Sequence, residues 1–275
     1  MKHLLSKAVA ETLESNYKKK VKAFCSEVHD SKPVVILGNQ KTGSTAIAAL
    51  LSEATQQSVT LDLKKAIPDV GWQLCIKHNV MKFSDVAYKY RSDFKRSIIK
   101  EPCLTFFYDE VRELMPNAKF VFIQRDPFQN IRSILNRLGI PGDLQNINLD
   151  DWPELAKTPV WRLVLDSTWL GRDSGSYIEG LAHRWDLAAK ECLNGDKEFF
   201  VIKYEDFIKD KEGAIYSLAD SLGMEIKKNI SGNVDVQYQG RGNSAVSVKD
   251  FFGMRNCEII RNICGESADK LGYAI

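Results

Sequence analysis

Lys41 stands between two glycines, Gly38 and Gly43, in the run Gly38-Asn39-Gln40-Lys41-Thr42-Gly43-Ser44-Thr45. A glycine-bounded turn leading into a helix points several backbone N–H groups at one spot. The helix N-terminus adds positive potential, the lysine a mobile charge, and Ser44 and Thr45 hydroxyl donors. That combination makes an anion site, and phosphate is the anion it fits best. A nucleotide-triphosphatase loop needs lysine directly before the hydroxyl residue, as in G-x-x-x-x-G-K-[ST]. Here the order is G-x-x-K-x-G-S-T, and no carboxylate on a later strand suggests magnesium. The plain alternative is an ordinary Gly/Ser-rich turn between a strand and a helix.

A second polar group follows the apolar run Lys119–Ile123: Gln124-Arg125-Asp126-Pro127, with Ser133 eight residues after Arg125. A guanidinium fork plus a hydroxyl can grip another phosphate. Arg241, between Gly240 and Gly242, offers a third contact set. Two separated phosphate grips suggest a nucleotide carrying phosphate at both ends of its ribose. Simpler accounts stand beside these. Arg125 and Asp126 could form a local ion pair, Lys100 could be a solvated strand-end lysine, and Tyr204-Glu205-Asp206 could only end a strand and cap a helix.

The elements that must position these residues follow from apolar periodicity. Val34–Leu37, Ser97–Ile99, Lys119–Ile123 and Phe199–Ile202 read as strands, each ending in polar residues. Residues 55 to 71 read as a polar connection, and Trp72–Ile76 as a short strand or packed loop. Helical patterns cover residues 3 to 29, Ala46 onward, Phe83 onward, Phe106–Leu114, the stretch after Pro127, Gly180 to about Cys192, Ile215–Leu222, and Asn256–Ile263. The lysines at 18, 19, 20 and 22 read as a solvated helix face.

Strands alternating with helices predict an α/β fold. We expect a single domain over residues 1–275, with a central parallel β-sheet flanked by helices and an N-terminal helical region at 1–32. Ligands bind such folds beyond the C-terminal strand ends, where Lys41, Lys100 and Arg125 would converge. Residues 140–180 lose the strand–helix rhythm and form an irregular insert on the substrate side. It holds Trp152, Trp161 and Trp169, and seven acidic side chains against three basic between Pro141 and Gly180. As an acceptor-binding wall it would suit a cationic small molecule, such as an amine- or guanidine-bearing natural product. Alternatively the tryptophans fill the insert's own core and the acids face water.

Composition removes other classes. A net charge of +2, with no basic tail, argues against nucleic acid as a partner. No apolar run approaches eighteen residues, which argues against a membrane span. Six cysteines without C-x-x-C spacing read as free thiols in a reducing cytoplasm rather than zinc ligands. The expectation is a cytoplasmic monomer or homodimer.

From Pro33 to Gly253 the chain resembles the sulfotransferases that use 3′-phosphoadenosine 5′-phosphosulfate (PAPS), as a divergent, bacterial-like member of the small-molecule, cytosolic type. GNQKTGST resembles their 5′-phosphosulfate loop, and VFIQRDPFQNIRS their 3′-phosphate motif. IIKEP, His183-Arg184-Trp185, KYEDF and Gly240-Arg241-Gly242 lie in the expected order. The resemblance implies a P-loop-like sulfotransferase fold and direct in-line transfer of a sulfuryl group to an acceptor oxygen or nitrogen. It leaves adenosine 3′,5′-bisphosphate and needs no metal. It further implies that Gln40, Lys41, Thr42, Gly43, Ser44 and Thr45 bind the 5′ end of the nucleotide. Arg125, Ser133, Arg241 and Gly242 would bind the 3′-phosphate, Tyr204 would contact adenine, and Lys41 and Lys100 would stabilise charge in transfer.

Two departures stand out. Ala46 occupies a position where many members place tryptophan, and Pro102 one where many place a catalytic histidine. The base is therefore open among His78, Glu101 and His183. Competing classes are a magnesium-dependent small-molecule kinase and a non-catalytic nucleotide-binding protein.

Overall fold

The computed structural model describes residues 2–67, 69, 71–195, 198–236 and 246–275. Its centre is a five-stranded, all-parallel sheet of β1 (Val34–Leu37), β2 (Val59–Leu61), β3 (Ile98–Lys100), β4 (Lys119–Gln124) and β5 (Phe199–Lys203), in the order β2-β3-β1-β4-β5. In β1 every residue is buried because both faces are covered. Val34 and Ile36 face one apolar layer with Ile47, Leu51, Ile215 and Leu218, while Val35 and Leu37 face another with Phe107, Phe120 and Phe122.

The helices are α1 (Lys2–His29), α2 (Ser44–Thr55), α3 (Trp72–Lys77), α4 (Phe83–Lys89), α5 (Arg91–Phe94), α6 (Tyr108–Leu114) and α7 (Pro127–Leu138). After these come α8 (Pro153–Lys157), α9 (Val160–Leu165), α10 (Tyr177–Asn194), α11 (Tyr204–Phe207), α12 (Lys211–Ser221) and α13 (Val248–Lys270), the last bent at Gly253. Helices α2 and α12 cover one sheet face, and α4, α6 and the end of α1 cover the other. A further apolar cluster joins α7, α9, α10 and α13.

The chain order makes β1 the switch point. From β1 the chain runs to the β2–β3 side, while β4 and β5 lie on the other side, so a crevice opens beyond the C-terminal ends. Two expectations are corrected. Residues 55 to 71 hold the edge strand β2, paired with β3 at Leu61 and Lys100, rather than only a connection. Trp72–Lys77 is helix, not strand or loop, with Trp72, Gln73 and Ile76 turned inward at helical spacing. Among the described residues no helix is long and apolar enough to cross a membrane, and the six cysteines are free thiols.

Candidate active site

The turn after β1 leaves the strand at Gly38, where φ is +133° and an added Cβ would lie 2.6 Å from the Ile123 carbonyl oxygen of β4. It ends at Gly43, with φ +92°, against the ring of Tyr204, 2.4 Å from where a Cβ would be. Neither position tolerates a side chain without strain. Between them Lys41 takes a left-handed conformation, with φ +66°.

The carbonyls of this turn are held from behind, one after another. Thr105 Oγ1 donates to the Gly38 carbonyl (3.1 Å), Thr42 Oγ1 to Asn39 (2.9 Å), Asn130 Nδ2 to Gln40 (2.7 Å) and Arg125 Nη1 to Lys41 (2.7 Å). Asn39 Nδ2 donates in turn to Asn130 Oδ1. With these carbonyls engaged, α2 begins directly after Gly43; its first amides precede the regular helical ladder, and that of Ala46 turns back to the Gly43 carbonyl (3.1 Å).

One cleft of about 720 Å³ runs across the ends of all five strands. Asp62 follows β2, Lys100 and Glu101 end β3, the Lys41 turn follows β1, Arg125 follows β4 and Tyr204 follows β5. Gln40, Gly43, Ser44, Thr45 and Ser133 line it as well. Thr42 is buried, its hydroxyl committed inside the turn. Burial, then the nearby cations Arg125, Arg137 and Lys100, hold the Lys41 ammonium down to about 8. Burial also lowers the Arg125 guanidinium, whose plane lies 4.3 Å from the centre of the Tyr204 ring and whose buried Nε–H has no partner in the described structure. Asp126 does not pair locally with Arg125; its side chain caps α7 by accepting from the Gln129 amide (2.8 Å).

At the other end Lys100, only 3% exposed, forms an ion pair with Asp62. Glu101 accepts the Leu63 and Cys103 amides, each at 3.0 Å. Burial raises the Glu101 carboxyl, helped by the negative charge of Asp62, against the pull of Lys100 and the two amides. Asp62 is the residue that sequence reasoning missed. The signal was there in Val59-Thr60-Leu61, a β-branched run ending at an acid, but three residues are too few to stand out from a polar stretch.

The histidines do not join this group. Because Trp72–Lys77 is helical, His78 falls at the exposed end of α3 and does not line the cleft. His183 lies half-buried on α10, away from the cleft lining, and burial and Arg172 lower its imidazole. Its neighbours in sequence serve the site from behind. Arg184 is fully buried, donates from Nε to Gln40 Oε1 (3.0 Å), and stacks on Phe106 at 4.3 Å. Trp185 Nε1 donates to the Arg125 carbonyl (2.9 Å). Glu205 accepts the Asp126 amide (3.0 Å) and the Tyr273 hydroxyl (3.1 Å), bracing the turn after β4. Arg241 and Gly242 lie outside the described residues.

Of the insert, Thr158, Val160, Trp161 and Val164 line the cleft. Trp169 is buried with its Nε1 on the Leu163 carbonyl, and Trp152 packs on the cluster around α7 and α10. None of the insert's acids lines the cleft. Among the described residues no three His, Cys, Asp or Glu side chains are grouped as metal ligands.

A family model described as "Sulfotransferase family" matches residues 68–228, more than half of the chain. The chain belongs to the sulfotransferase family. The match takes in Lys100, Arg125 and Tyr204 but begins after the Lys41 turn. No curated protein sequence matches this sulfotransferase. Among solved structures it resembles the sulfotransferase STF9 of Mycobacterium avium, with a TM-score of 0.52 and 12% identity over 93% of this chain and 82% of that one. Sulfotransferase STF1 of Mycobacterium tuberculosis H37Rv gives a TM-score of 0.51 and 11% identity over 90% and 81%. At these identities the likeness is one of fold.

Replacing Asn130 with alanine leaves the Gln40 carbonyl and the Asn39 amide nitrogen without their partner. Urea unfolding is expected to show a loss of about 1–3 kcal/mol for each buried group left unpaired. A change below about 0.5 kcal/mol, the range of ordinary surface substitutions, would show that the turn is not held this way.

Proposed function

We propose that this sulfotransferase moves a sulfuryl group from PAPS to a small-molecule acceptor by direct in-line displacement. The observation that carries this reading is the desolvated cationic charge at the Lys41 turn. Lys41, Lys100 and Arg125 crowd one cleft, and Lys41 is held at about 8 in consequence. A bound polyanion would relieve that crowding. The residues fit the donor nucleotide. Lys41, the amides at the start of α2 and the hydroxyls of Ser44 and Thr45 would hold its 5′ end. Arg125, with an Nε–H to offer, and Ser133 would hold the 3′-phosphate, and Tyr204 would meet the base.

The donor supplies an activated sulfuryl group; the chain supplies orientation, charge and a base. Lys41 stabilises negative charge at the 5′-phosphate side, and Lys100 stabilises the sulfuryl oxygens. Asp62 is the base that best suits the geometry. Among the described residues Lys100 is the one charged partner of its carboxylate, so a lysine drawn toward the sulfuryl group frees it to take the acceptor proton. Both oxygens of Glu101 already accept backbone amides, which suits it to shaping the turn at Leu63 and Cys103.

Calorimetry tests the nucleotide reading. Adenosine 3′,5′-bisphosphate is expected to bind more tightly than AMP by about 1.5–3 kcal/mol, the worth of a charged hydrogen bond, without added metal. Equal affinities would end the proposal, and magnesium-dependent binding of ATP instead would favour a kinase.

The same titrations carry a pH signature. In the free protein Lys41 gives up its proton near pH 8, whereas beside a bound phosphate it keeps it. Binding above pH 8 therefore takes up a proton, and affinity falls with rising pH by up to about tenfold per unit. Lys41→Met is expected to abolish this dependence; an unchanged slope would disconnect it from Lys41.

The two acids separate kinetically. Asp62→Asn is expected to lower kcat by about 10²–10⁴-fold with bisphosphate affinity kept. If Glu101→Gln did so and Asp62→Asn did not, the roles would be exchanged.

A further inference from the structure

Arg184 of α10 is fully buried, and among the described residues its charge meets no carboxylate. Taking a guanidinium out of water without an anion is costly, so the groups it does meet matter. Nη1 donates to the Leu163 carbonyl (3.3 Å), and the Phe106 and Trp169 rings lie 4.3 and 5.6 Å away. Nε donates to Gln40 Oε1 (3.0 Å), one residue before Lys41.

A guanidinium only donates, so this contact fixes which way the Gln40 carboxamide lies. Oε1 faces Arg184, and the Nε2 amino group is turned to Cys103 Sγ, 3.5 Å away. The backbone of Gln40 is held as firmly: its amide donates to Asn39 Oδ1 (2.9 Å) and its carbonyl accepts from Asn130 Nδ2 (2.7 Å). A thiol sulfur is a weak acceptor, and Nε2 has two N–H bonds to give. Burial pushes the Cys103 thiol up to about 12, so it stays neutral and does not claim the donor as a thiolate would. Gln40 and Cys103 both line the cleft, and Cys103 stands three residues after Lys100. The amino group therefore lies where the Lys41 turn meets the end of β3.

We propose that Gln40 is a catalytic residue whose Nε2 donates a hydrogen bond to an oxygen of the sulfuryl group in transfer, and that Arg184 is the positioning residue that keeps this donor turned to the cleft. This rests on the reading of the cleft as a sulfuryl-transfer site and deepens it. In the transfer the S–O bond to the 5′-phosphate of PAPS breaks, and its electron pair stays on the phosphate oxygen. A lone pair of the acceptor atom forms the new bond to sulfur, and the acceptor proton passes to the base. The three other oxygens on sulfur stay negatively charged throughout. A fixed neutral donor serves them without a further cation beside Lys41 and Lys100, whose charges already oppose each other. Held at both backbone groups and at Oε1, Gln40 needs no reorganisation when the group moves. The guanidinium on Oε1 also polarises the amide, which makes its N–H bonds stronger donors.

PAPS and adenosine 3′,5′-bisphosphate differ by the sulfuryl group alone, so the ratio of their affinities isolates it. Gln40→Met keeps the side-chain length and removes the donor. Calorimetry without acceptor is expected to show PAPS affinity falling by at least about tenfold relative to the bisphosphate. Sulfate release from PAPS, with water as the acceptor, should slow by about 10²–10³-fold. Bisphosphate affinity should stay unchanged, which also shows that the variant folds. Gln40→Glu, which gives buried Arg184 a carboxylate, is expected to lower the same ratio with the fold kept. Arg184→Lys keeps the charge but not the fork, and should lower the ratio too. Combined with Gln40→Met it should lower nothing further, because it acts through Gln40. An unchanged ratio and unchanged sulfate release in Gln40→Met would overturn the catalytic role, as would equal losses for both nucleotides. A further loss of the ratio in the double variant would overturn the positioning role. A wild-type protein that binds the bisphosphate no more tightly than AMP would remove the underlying reading, and this inference with it.

Discussion

The site depends on one constraint: four successive carbonyl groups, from Gly38 to Lys41, are each held by a protein donor. Their donors come from separate parts of the chain. Thr105 lies after β3, Arg125 after β4, Asn130 on α7, and Thr42 within the turn itself. A turn whose carbonyls pointed both ways would mix positive and negative ends of its peptide dipoles. Held as they are, the negative ends face protein donors, and the positive ends remain at the start of α2. The loop is thus preorganised by the sheet's neighbouring strands rather than by its own sequence.

A second layer holds the first. Arg184 reaches Gln40 from α10 and Trp185 holds the Arg125 carbonyl, while Glu205 holds the Asp126 amide. Arg184 is buried and, among the described residues, has no carboxylate paired to it; the rings of Phe106 and Trp169 and the Leu163 carbonyl surround it instead. Burial brings its guanidinium down to about 10, which still leaves it charged at neutral pH. This cation is stabilised by aromatic faces and amide dipoles. It ties the Lys41 turn to the segment that carries α9, so the two ends of the cleft share a support.

Charge in the cleft divides along its length. The end with Lys41 and Arg125 brings two desolvated cations together. At the end with Asp62, Lys100 and Glu101 two carboxyl groups meet one lysine, with Asp62 paired to Lys100 and Glu101 accepting two backbone amides.

Much of this was legible in the residues. The long apolar runs at Val34, Phe120 and Phe199 marked β1, β4 and β5, and the glycine spacing around Lys41 marked the turn, because Gly38 and Gly43 stand where no side chain fits. Lys100 and Arg125 were readable as strand-end cations. What the chain order could not show was which short segments join the sheet. Three residues of β2 become a strand only because β3 lies beside them. Trp72–Lys77 is a helix because its inward residues pack at helical spacing against the layer under the sheet. Those two assignments decide that Asp62, and not His78, meets Lys100. The acids of the insert, conspicuous in composition, do not line the cleft, while Trp161 and its helical neighbours do. Local chemistry was set by residue type and spacing, which act over a few positions. Convergence of five strand ends, and the partner each charge finds there, was decided by long-range packing.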